Sequence, residues 1–162
     1  MSYLPFFEPN VPETVTRFHH ASNDNADRLV VKKAERRLYL MRDNQPLRSY
    51  HIALGFQPIG RKTREGDGRT PEGRYLIDRR NDRSRFHKAL HISYPSTVDR
   101  WRAERRGEPP GGMILIHGQP NGKNRSKPIE DDWTLGCIAV SNREIDEIWS
   151  LTVDGTPIEI LP

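Results

Sequence analysis

A single cysteine among 162 residues rules out an internal disulfide. With no Cys-x-x-Cys or His-x-Glu pattern beside it, the chain also falls short of a zinc set, so neither a metal nor a cofactor is expected. Long apolar runs are missing too, and none approaches the ~18 residues that a membrane-spanning helix requires. The opening MSYLPFFEPN lacks the positive start and apolar stretch of a signal peptide. Aromatic residues make up 8% of the chain, and no nucleic-acid reader motif accompanies the 26 basic residues. The 22 acidic residues are interleaved among them, so nucleic acid is not expected as a partner. A net charge of +4 suits carboxylate-bearing peptides or anionic glycans instead. Internal repeats are also lacking.

What is present reads as one loop-rich domain with 13 Pro and 12 Gly. Residues 1–27, with Pro5, Pro9, Pro12 and an Asn/Asp patch, predict an extended N-terminal arm ahead of a domain over 28–162. Short β-like runs follow at Leu29–Val31, Leu38–Met41, Tyr50–Leu54, Tyr75–Ile77 and Leu90–Tyr94, spaced as an antiparallel meander. MILIHG, residues 113–118, predicts a buried strand, and TPIEIL a closing one. Two helices fit the remaining pattern. Ser96 with Asp99 and Gly107 brackets a polar helix pinned by Val98 and Trp101. Ser141 with Glu144 forms a capping box ahead of a stripe of Ile145, Ile148 and Trp149. The Gly- and Pro-rich stretch 55–73 is too long for a hairpin turn, and a loop of that length is expected to border a site.

The lone cysteine, Cys137, sits on a glycine turn in DDWTLGCIAV. A thiol becomes a nucleophile when a base assists it, and that base has to come from elsewhere in the fold. Of six histidines, His19 and His20 lie in the arm, His51 and His91 inside strand patterns, and His87 in an arginine-rich loop. His117 ends the apolar strand 20 residues before Cys137, and the polar loop 119–130 can bring the two together. On spacing alone this pairing stands beside a plainer one, an inert small cysteine and a histidine satisfied by backbone. A histidine partner favours the charged form of a thiol, so Cys137 is expected to be partly thiolate at neutral pH.

Three spaced motifs carry more: GDGRTPEGRY, then IHG, then TLGCIAVSN. Together they resemble the L,D-transpeptidase catalytic domain family, also called YkuD-type, in the branch whose second motif reads DWT-x-GCIAV. The likeness runs from about Leu29 to Ile160. The resemblance implies a mainly β, sandwich-like domain with one or two helices. It implies Cys137 as the nucleophile, His117 as general base and then acid, and the Gly118 carbonyl as the group orienting the imidazole. Backbone N–H groups of Leu135, Gly136 and Cys137 would form an oxyanion hole, which needs amides converging on one point. Thr134, at the family's Ser/Thr position, would hydrogen-bond within that turn, or serve as an ordinary turn hydroxyl.

The reaction so implied is acyl transfer through a thioester on peptidoglycan stem peptides, at the third, diamino acid residue. The thioester is resolved by an amine or by water. A wall-linked lipoprotein is a second implied partner, which makes a hydrolase or amidase the alternative enzyme. A peptidoglycan-binding module without turnover is the alternative class. Leu135 stands where many members carry histidine, and Ala139 where many carry arginine. Arg61, Arg64, Arg69 and Arg74, in and around the long loop, are therefore candidates to hold substrate carboxylates. The implied location is the periplasm or cell envelope, with an export signal outside this sequence; a cytoplasmic location is the alternative. Oligomeric state is left open.

Overall fold

The computed structural model describes residues 24–122 and 125–162, so most of the expected arm, with His19 and His20, lies outside the described residues. Eight strands and two helices follow. They are β1 (Arg28–Lys32), β2 (Arg37–Arg42), β3 (Gln45–His51), β4 (Gly73–Ser84), β5 (His87–Ile92), α1 (Thr97–Arg106), β6 (Leu115–His117), β7 (Ile138–Ala139), α2 (Asn142–Leu151) and β8 (Pro157–Leu161). The strand order is β3-β2-β1-β8-β4-β5-β6-β7. Strand β4, 12 residues long, serves two sheets. Its first part, Gly73–Leu76, pairs with β8, and the rest pairs with β5. The free ends of the order approach each other through isolated bridges, Ala53 with Ala139 and Gly55 with Thr134. The mainly β, sandwich-like architecture is therefore observed, with Leu29, Leu38, Ile52, Leu90, Ile116 and Ile138 fully buried between its layers.

The antiparallel meander is corrected. Strand β8 inserts parallel to β1 and antiparallel to β4, and β7 lies parallel to β6. Alternation fixes which side chains face the core but not which strand becomes the neighbour, and β8 fills the slot between two otherwise open edges. Both helices start on capping boxes, Ser96 with Asp99 and Ser141 with Glu144, and Gly107 ends α1 in the left-handed region at φ 67°. The expected anchors of α1 are a second correction. Val98 and Trp101 are 52% and 55% exposed. The helix instead buries Asp99, which accepts from the Tyr75 hydroxyl at 2.8 Å, together with Ala103. Helix α2 buries Ile145 and Ile148 as its stripe demands, with Trp149 packed at the edge of the core.

Candidate active site

Parallel pairing of β6 with β7 builds one wall of a cleft. Ile116 opposes Ile138 and His117 opposes Ala139, so Cys137, one residue ahead of β7, falls across from Leu115. Side chains alternate along a strand, and registered neighbours share a face. Ile116 and Ile138 turn into the core, which leaves Leu115, His117, Cys137 and Ala139 on the opposite face. Cys137 and His117 there line a single cavity of about 440 Å³ with Lys62, Phe86, Trp133 and Leu135. The structure thus brings the two candidates together by a strand ladder rather than by the loop expected to do so. Among the described residues, none of 119–130 lines the cavity. That loop is pinned elsewhere, through Gln119 to Asn142 and Val140 and through Asn121 to Ser84.

The imidazole of His117 is almost wholly buried, its Nδ1 lies 2.7 Å from the Gly118 carbonyl oxygen, and its ring stacks on Phe86 at 4.2 Å. Nδ1 consequently carries the proton and donates, which leaves Nε2 as the basic atom. Burial pushes the imidazole below its ordinary value of 6.5, against the opposing pull of the Gly118 carbonyl. The thiol is partly buried and donates to the Met113 carbonyl at 3.4 Å. Burial raises it above its ordinary 9.0, with the Leu115 amide and the Lys62 ammonium pulling the other way. Burial thus works against the expected partial thiolate at both groups, favouring the neutral thiol and the neutral imidazole.

The turn before Cys137 is organised by Thr134. Its hydroxyl donates to the Cys137 carbonyl at 2.7 Å and accepts from the Gly136 amide at 3.1 Å. That amide is therefore already engaged, and the turn's remaining amides are those of Leu135 and Cys137. Gly136 has φ +140°, and a Cβ there would stand 2.8 Å from the Arg69 carbonyl oxygen, so only glycine permits this approach of the long loop. Asp132 ties the turn down from its other side, accepting from the Leu54 amide at 2.9 Å and pairing with Arg36 at 2.8 Å. Leu135 is 80% exposed at the rim.

The opposite wall is the long loop, as expected, with Phe56, Lys62 and Gly66 facing the cavity. Lys62 is a residue that the sequence reading missed. Its side chain is 3% exposed, and its ammonium donates to Asp67 at 2.8 Å and to the Arg64 carbonyl at 3.0 Å. Asp67 also accepts from the amides of Thr63, Arg64 and Arg69. Burial alone would raise this carboxyl, but Lys62 and the amides hold it below its ordinary value. In the charged stretch RKTREGDGR no local signal singles Lys62 out from its neighbours. The four candidate arginines are not brought to the cavity. Arg74 is 87% exposed and faces Glu159 at 3.7 Å, Arg61 is exposed, and Arg64 and Arg69 line a neighbouring depression.

A model of the L,D-transpeptidase catalytic domain (YkuD) matches residues 26–160. The chain belongs to this family. It is 34% identical over 107 residues to YafK of Escherichia coli (strain K12), itself a proposed L,D-transpeptidase, covering 65% of this chain and 37% of that protein. The chain therefore spans little more than a third of that relative's length. Among solved structures, the helical cell shape determining protein Pgp2 from Campylobacter jejuni superposes with a TM-score of 0.63 and 25% identity. The match covers 82% of this chain and 46% of that one. An L,D-transpeptidase from Xylanimonas cellulosilytica superposes at 0.53 with 15% identity, covering 84% and 60%, and shares the fold. Among the described residues, no helix of this L,D-transpeptidase-family domain is long and apolar enough to cross a membrane, and none group as a metal site.

Proposed function

We propose that this domain, residues 28–162, performs cysteine-dependent acyl transfer on peptidoglycan stem peptides in the cell envelope, at the third, diamino acid residue. The observation that carries the reading is the shared cavity, lined both by Cys137 and by an imidazole whose tautomer Gly118 sets. The Cys137 sulfur attacks the carbonyl carbon of the third residue as its proton passes to His117 Nε2. The amides of Leu135 and Cys137 receive the developing oxyanion, and the imidazolium then protonates the departing amine. A thioester remains. An incoming amine or water gives up a proton to His117, attacks the thioester and releases the thiol. A neutral resting pair suits this route, because charge separates only as the bond forms. Leu135 and Ala139 place no cation beside the nucleophile, and an acceptor that is not firmly held loses to water. We therefore favour hydrolysis, including release of a wall-linked protein, over cross-linking.

The deciding experiment incubates the protein with disaccharide tetrapeptide, cross-linked muropeptides and lipoprotein-linked muropeptides, with mass spectrometry of the products. Shortened or released peptides that depend on Cys137 are expected. New dimers joined between two third residues would reverse the preference. No Cys137-dependent change in any substrate would favour a binding module.

A further inference from the structure

Beyond β6, on the same face as Cys137, lies a second pocket of about 180 Å³ that the reaction described above does not use. Register places it. His91 of β5 opposes Leu115 of β6, and Arg79 of β4 opposes His91, so Cys137, Leu115, His91 and Arg79 form one row across four strands. The adjacent row runs through Ala139, His117, Ala89 and Asn81. Met113 and Leu115 line both pockets, which makes them neighbours across a single strand. Arg79 reaches this face because β4 bulges between Ile77 and Arg79. Strict alternation would send it into the core after Tyr75 and Ile77, and a bulge re-aims it outward. Its guanidinium has no ion-pair or hydrogen-bond partner among the described residues, whereas Arg80 beside it is spent on Asp154 and the Thr152 carbonyl. The carboxylate next to Arg79 in sequence, Asp78, is engaged by His91 Nδ1. Ala89, small and buried, forms the floor.

We propose that Arg79, with Asn81 and His91, forms a carboxylate subsite that anchors the stem peptide two to three residue lengths from the scissile bond. This supplies the cation that Ala139 and the loop arginines do not. Strands lie about 4.8 Å apart, so His91 is about 10 Å from the Cys137 strand, a span that about three extended residues cover. The proposal rests on the stem-peptide reading of the site. The test compares three synthetic stem tetrapeptides: one with all carboxylates free, one amidated at the second residue's free carboxylate, and one amidated on the third residue's side-chain carboxylate. Turnover of each is followed for the wild type, Arg79→Gln and Arg79→Lys. One amidation should raise KM about 10- to 100-fold in the wild type and leave Arg79→Gln unaffected, identifying which carboxylate is held. Arg79→Lys should recover part of the preference, and Cys137 alkylation should be equal in all three proteins. Unchanged KM values in Arg79→Gln, or a wild type indifferent to both amidations, would overturn the subsite. A wild type inert toward all three peptides would bring down the proposed function and the subsite with it.

Discussion

The two walls of the cleft are built by different physics. The wall carrying His117 and Cys137 is backbone: a parallel ladder, a glycine that admits its neighbour's carbonyl, and a threonine that closes the turn. The wall carrying Lys62 is a long loop held by a buried charge pair and the amides gathered around Asp67. Ladder geometry tolerates little movement, whereas a loop nailed by one ion pair depends on that nail. The proposed chemistry, which needs aligned atoms, accordingly falls on the ladder, and the loop supplies shape and charge.

The sharpest way to separate the walls is His117→Ala. Removing the proposed general base should lower turnover about 10²- to 10⁴-fold, and Cys137→Ser should lose at least as much. Thermal unfolding must be recorded alongside, because His117 also stacks on Phe86. Turnover within threefold of wild type in a folded His117→Ala protein would remove His117 from the mechanism.

Asp67→Asn strikes the other wall. It strands the Lys62 ammonium in a site where both side chains are 5% exposed or less, and breaking such a pair costs about 3–5 kcal/mol. The double variant Asp67→Asn/Lys62→Met should recover part of that stability by removing the orphaned charge, as chemical denaturation would read. If the single variant is as stable as wild type, the loop is not held by this pair.

How much of this was visible beforehand follows from range. Ser96 with Asp99 and Ser141 with Glu144 lie three residues apart, so both caps could be read locally. That Cys137 and His117 line one cavity was legible because a chemical requirement links them and three motifs framed them. The slot that β8 fills, the exposure of Trp101 and the bulge that turns Arg79 outward are set by partners far along the chain. Lys62 was obscured for a related reason: in a charged stretch such as RKTREGDGR, nothing local says which cation is buried.

Gly136→Ala tests the point where the walls meet. Its φ of +140° opposes a side chain, and so does the Arg69 carbonyl oxygen, 2.8 Å from where the new Cβ would stand. A strained residue of this kind costs about 1–3 kcal/mol. Turnover should fall with stability, since the turn that presents the Leu135 and Cys137 amides has to shift. A Gly136→Ala protein with wild-type melting temperature would show that the loop can retreat freely.

The smallest effect, and the one that reads the ladder wall alone, is the pH dependence. Turnover by the proposed route needs neutral His117 and protonated Cys137 together. The imidazole is held below 6.5, so turnover should fall only as pH drops through that lowered value, when His117 gains a proton. The thiol is held above 9.0, so the alkaline limb should begin only beyond it, as the proton is lost before substrate arrives. Between these limits the profile should be flat, with less than about a threefold change from pH 7 to pH 8. Iodoacetamide alkylation, which reads thiolate, should still be rising at pH 9 over the same series. An acid limb centred above 6.5 together with alkylation that saturates below 9.0 would mean that Cys137 and His117 rest as an ion pair. The loop wall's ammonium would then be contributing far more to the thiolate than burial takes away.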